Sequence, residues 1–134
     1  MTPEQLSKII SPTVLNRWKR TLNMEDWEYS VTLKELDGSW GECINQPKYH
    51  MSHIYVDPAK HSTKEEALDT LLHEILHSLH GDFEIAMESV IKQLNPAAQP
   101  LAEDLMSMAC EKFVTRMQVM LKKMGYELNG KRID

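Results

Sequence analysis

Residues 63–81 read Thr63-Lys64-Glu65-Glu66-Ala67-Leu68-Asp69-Thr70-Leu71-Leu72-His73-Glu74-Ile75-Leu76-His77-Ser78-Leu79-His80-Gly81. Thr63 and Glu66 stand at the spacing of a capping box, in which the hydroxyl accepts from a free backbone N–H and the glutamate reaches back to the cap. Ala67, Leu68, Leu71, Leu72, Ile75, Leu76 and Leu79 recur at steps of three and four, which gives a helix one continuous apolar face. At about 100° per residue, His73, His77 and His80 fall within roughly 60° of one another on the opposite side. Gly81 reads as the C-terminal stop. The stretch predicts a capped helix that buries its leucines and presents its histidines.

On the N-terminal side, Leu6, Ile9, Ile10, Val14, Leu15, Trp18 and Leu22 predict two short helices, the second with Ser11 as N-cap and Pro12 at its first position. Trp27, Tyr29, Val31 and Leu33 alternate with polar residues, the period of a half-buried strand. Asp37-Gly38 supplies a turn, and further strands are expected over Trp40–Asn45 and Tyr49–Asp57. The expectation is a small antiparallel sheet of three strands. Beyond Gly81, a short helix is expected over Phe83–Leu94. A long one, starting near Ala97 or Pro100, should run to Lys123 and end at Gly125. The fold class is therefore α+β, as one domain over residues 1–134 with a tail from Tyr126 to Asp134.

Composition narrows the classes of function. With 42% hydrophobic and 26% charged residues, the chain has the balance of a folded globular domain rather than of a disordered one. No run approaches the roughly 20 apolar residues of a membrane span. Residues 1–6 lack a basic region followed by an apolar stretch, so the expected location is cytoplasmic. Cys43 and Cys110 are too few for a disulfide framework and read as small buried hydrophobes. A net charge of −5 argues against nucleic acid as a partner.

The chemistry lies in His73-Glu74-x-x-His77. Two imidazoles one helical turn apart can share a tetrahedral zinc ion, and the glutamate between them is placed to handle the proton of an activated water. Glu74 is thus the expected general base, His73 and His77 the metal ligands, and peptide hydrolysis the reaction class. By helical phase Glu103 falls inside the apolar face of the last helix with Met106, Cys110 and Met117, where an unpaired carboxylate is costly. Glu111 shares a stripe with Asp104, Ser107, Thr115 and Gln118.

In the order of its elements and in this motif the chain resembles the gluzincin zinc peptidases, and in size the minigluzincins. It is also similar to short metallopeptidase-like proteins of phages and mobile elements. The metzincin pattern, with glycine three residues after the second histidine and histidine three further on, is not met, because His80 and Phe83 stand there. The resemblance implies zinc on His73 and His77, Glu74 as base, and a glutamate of the following long helix as third ligand. The family's spacing favours Glu111, which is the expected third ligand; helical phase favours Glu103, its alternative, and Glu88 comes third. His80 is read as a solvated histidine, with a supporting role behind the ligands as its alternative. His50 and His53 are read as exposed strand residues, and Tyr126 as a remote candidate for oxyanion donation. The expected partner is a peptide or protein substrate laid along a sheet edge, with the oligomeric state open. A zinc-stabilised interaction module, in which the site binds a host protein or is blocked by its own tail, is the alternative function.

Overall fold

The computed structural model describes residues 1–133. Its elements are helices α1 (Pro3–Ile9) and α2 (Pro12–Thr21), strands β1 (Glu28–Leu33), β2 (Gly41–Gln46) and β3 (Met51–Val56), and helices α3 (Lys64–His77), α4 (Gly81–Ile91) and α5 (Gln99–Lys123). The α+β class and the long last helix match the sequence reading. Asp134, the end of the expected tail, lies outside the described residues.

α3 forms for the reasons its sequence shows. Thr63 accepts from the Glu66 N–H at 3.2 Å, and the Glu66 carboxylate accepts in return from the Thr63 N–H. Ala67, Leu68, Leu71, Leu72, Ile75 and Leu76 are all buried. They meet Leu6, Ile10, Val14 and Trp18 from α1 and α2, Ile54 and Val56 from the sheet, and Val114 and Leu121 from α5. α3 is thus the centre of the core, and every other layer is built against it.

The sheet is mixed, which corrects the antiparallel expectation. Its order is β1-β3-β2, with β3 antiparallel to β2 but parallel to β1. The physical reason sits in Asp57, just beyond β3. Its buried carboxylate accepts from the backbone N–H of Leu36 and of Ala59, each at 2.9 Å, and pairs with Lys60. Its own N–H donates to the Trp40 carbonyl at 3.1 Å. The link between β1 and β2 is thereby strapped across the end of β3, so the two strands lie on opposite sides of it. β3, with Ser52, Ile54 and Val56 buried, takes the centre. β2 is left as an edge strand beside α3.

Gly81 is not a stop. Its φ is −57°, and the chain passes from α3 through a single 3-10 turn directly into α4. Glycine is needed there for room, since a Cβ would come within 2.6 Å of the Pro47 side chain. Residues 126–133 pack back on α2: the Trp18 indole N–H donates to the Leu128 carbonyl at 3.0 Å, and the Tyr126 ring lies 6.0 Å from that of Trp18. Gly125, at φ +91°, ends α5 as expected.

Backbone donors and the Lys60 ammonium hold the Asp57 carboxyl down at about 2, below its ordinary 3.8. A depressed carboxyl stabilises the fold above its unfolded pKa and loses that contribution as pH falls through the folded value. The stability gap between wild type and Asp57→Asn should therefore be full at neutral pH and narrow from about pH 4 to about pH 2. Urea midpoints measured across that range check it.

Candidate metal centre

His73 and His77 leave α3 on the face away from its leucines, and Glu111 approaches them from α5. The His73 Nε2 lies 3.1 Å from Glu111 Oε2, and the His77 Nε2 lies 3.0 Å from Glu111 Oε1. The two Nε2 atoms are 3.2 Å apart. Four ligands at the 2.0–2.1 Å bonds of tetrahedral zinc sit about 3.3 Å from one another, so the two Nε2 atoms, each with one oxygen of the Glu111 carboxylate beside it, have ligand spacing for such a site.

The groups behind the imidazoles set their tautomers. The Asp69 carboxylate can only accept, so Gln118 offers it its amide N–H at 3.0 Å and turns its oxygen to His73 Nδ1 at 3.1 Å. His73 Nδ1 must then donate, which leaves the lone pair on the Nε2 that faces Glu111. His77 Nδ1 lies 2.8 Å from His80 Nε2, and the Nδ1 of His80 is sealed from solvent against the Glu84 carboxylate, too oblique for a well-formed hydrogen bond. A carboxylate beside Nδ1 favours the proton there, so His80 Nε2 accepts and His77 also turns a lone pair inward. Two facing lone pairs beside a carboxylate fit a shared cation better than they fit one another. Burial also lowers the His77 pKa, which favours the neutral, ligating form.

His80 is therefore not the solvated residue expected. It is 7% exposed, with its ring edge-on to Phe113. His80, Glu84 and Cys110 bring ligand atoms within 4.8 Å of one another as well, but burial raises the Cys110 thiol and His80 is already committed to His77. Glu103 does not join the centre. It lies exposed two helical turns before Glu111, about 12 Å along the axis, because this end of α5 has left the core against which helical phase was judged. Glu88 lines a neighbouring trough with Pro47 and Tyr49. His50 pairs with Asp26 and stacks on Trp27, and His53 meets Ser30; neither lines the cleft. Tyr126 packs on Trp18 and is likewise absent from the cleft walls.

Glu74 is buried beside the ligands, and burial raises its pKa. The Cys43 thiol faces it from β2; burial pushes that thiol up as well, so it stays protonated and able to donate. Gly41 makes the close approach of β2 possible: a Cβ there would come within 2.7 Å of Thr70 Cγ2 and 3.2 Å of Glu74 Cγ. Asn45 donates to the His77 carbonyl at 3.1 Å and accepts from Ser52 at 2.8 Å, which fixes the end of α3 to the sheet. Sequence reasoning missed Gly41, Asn45, Asp69 and Glu84 as parts of the site, and gave Cys43 no role beyond packing. Only Gln118 carried a signal, as a member of the Glu111 stripe. Together β2, α3 and α5 enclose an open cleft of about 360 Å³, lined by Gly41, Glu42, Cys43, Glu74, His77 and Glu111 among others.

No protein-family model matches the chain, and neither a curated protein nor a solved structure matches it.

Read as a metal centre, the site predicts about one divalent ion per chain. Glu111→Gln should weaken metal affinity strongly, whereas Glu103→Gln should leave it unchanged. Glu84→Gln, which reaches His77 through His80 and also borders the cleft, should cost about 10- to 100-fold. Competition titration with a chromogenic chelator measures all three.

Proposed function

We propose that this chain is a zinc-dependent endopeptidase. The observation that carries the reading is the convergence of His73, His77 and Glu111 at metal-ligand spacing, with the buried Glu74 beside them. The resemblance to gluzincins points the same way. A zinc ion held there would lower the pKa of a bound water to about 7 and polarise the scissile carbonyl.

The chain's own residues supply the rest. Glu74 takes a proton from the attacking water and delivers it to the leaving amine, a role for which a carboxyl with a raised pKa is suited. Cys43 and Gly41 hold that carboxyl in place from β2. The substrate is an extended peptide added to the free edge of β2, whose residues Gly41, Glu42, Cys43 and Asn45 border the cleft. Strand addition satisfies the edge backbone groups and draws the peptide past Glu74 and His77. Among the described residues no helix is long and apolar enough to cross a membrane. With two free thiols, a cytoplasmic setting and a peptide or protein partner go with this reading.

Glu74→Gln should retain the metal and lose cleavage of an unstructured protein substrate by at least about 100-fold, since a lost general base removes roughly that much rate. Wild-type cleavage should stop with a chelator and return with zinc. Metal bound at full affinity but no cleavage of any substrate in a broad screen would replace the peptidase with a zinc-stabilised interaction module.

A further inference from the structure

The hairpin of α4 and α5 carries an apolar face that the domain does not use. The helices run antiparallel: His80 and Glu84 at the start of α4 lie near Phe113 and Cys110, and residues 92–98 join the other ends. Buried Ile91 with half-buried Met87, Ala102 and Met106 marks the seam between them. By helical phase Phe83 and Val90 sit roughly a quarter turn from the seam on α4, Leu94 follows in the turn after that helix, and Leu101, Leu105 and Met108 sit roughly a third of a turn from the seam, in the same sense, on α5. In two antiparallel helices, offsets of one sense fall on the same face of the pair. That face is turned away from Cys110 and Val114, the positions by which α5 meets the core.

These six side chains are between 39% and 64% exposed. Together they leave on the order of 600 Å² of apolar surface, at the top of the range for the largest patch on a monomer and close to the roughly 800 Å² that each partner buries at a standard interface. Ala86 and Ala109 lie beside them, and the exposed Lys112, one turn beyond Met108, continues the α5 row at its end. Residues 82–112 hold Asp82, Glu84, Glu88, Glu103, Asp104 and Glu111 against Lys92 and Lys112. That balance repels an anionic bilayer or nucleic acid.

We propose that this face is the interface of a homodimer, in which the hairpins of two copies pack across a twofold axis as a four-helix bundle. A twofold interface needs one self-complementary patch, and a flat apolar hairpin face bordered by polar residues is one. Its apolar area, on the order of 600 Å², approaches the roughly 800 Å² that each partner buries in a standard interface. Glu111 points from α5 toward α3 and away from this face, so dimerisation leaves the metal cleft open. The inference is independent of the peptidase reading.

Size-exclusion chromatography with light scattering on the full chain tests it. The expected mass is about 31 kDa, twice the 15.5 kDa of one chain. Leu101→Glu combined with Leu105→Glu should halve the mass while the helical circular-dichroism signal and metal content stay unchanged. The milder Leu105→Ala should raise the dimer dissociation constant by about tenfold or more. Val119→Glu, exposed further along α5 and beyond the face, should remain dimeric. A wild-type mass of 15.5 kDa at concentrations up to about 100 μM overturns the proposal. So does a dimer that survives the double change, or one that Val119→Glu also dissolves.

Discussion

The structure depends on the burial of one face of α3. Six apolar side chains of this helix are enclosed by α1 and α2, the sheet and α5, so it can neither rotate nor slide without exposing leucine or isoleucine. At about 25 cal/mol per Å² of apolar surface, each leucine or isoleucine among them contributes on the order of 2 kcal/mol relative to exposure. The opposite face is fixed in consequence. His73, Glu74 and His77 point where the packing of Leu71, Leu72, Ile75 and Leu76 leaves them to point, which is how a weak and local motif becomes a rigid arrangement.

Around that helix, polar groups from three other elements converge on the same few atoms. Gln118 on α5 and Asp69 on α3 orient His73; His80 and Glu84, at the start of α4, orient His77; Asn45 on β2 ties down the carbonyl at the end of α3. Glu74 is packed between α3 and β2, and only a glycine at position 41 allows the strand so close. Each contact is modest alone, but together they couple the cleft to every layer of the fold. Tyr29 belongs to the same tie: its hydroxyl meets Ser78 at 2.6 Å, and burial pushes its pKa up to about 12, so it remains a neutral partner at the α3 terminus.

Much of this was legible before any coordinates. The capping box, the leucine stripe, the Ser11-Pro12 boundary and Gly125 are local signals, and each acted where it stood. The sheet was mistaken because parallel or antiparallel pairing is decided by a strap that sequence does not announce: Asp57 reads as the end of a strand, and its grip on Leu36 and Ala59 depends on a loop brought back from 21 residues earlier. Gly81 was mistaken because a glycine chosen for close contact with Pro47 looks the same as one chosen for a helix stop. His80 reads as solvated in the sequence because α4, which covers it, begins immediately after it.

The third donor shows the division most clearly. Helical phase on α5 assumes that one apolar face serves the whole helix, yet its first half overhangs the domain beside α4 and only its second half meets α3. Glu103 therefore reads as buried and is exposed, while Glu111, whose stripe suits either a solvated face or the polar wall of a cleft, stands over the histidines. By itself the sequence determined the elements, the leucine face and the histidine pair, because all of these follow from spacings within one helix or strand. Only the tertiary structure decided the mixed sheet, the glutamate that completes the cluster and the groups behind His73, because these rest on contacts between residues 20 to 50 positions apart, whose geometry no local period encodes.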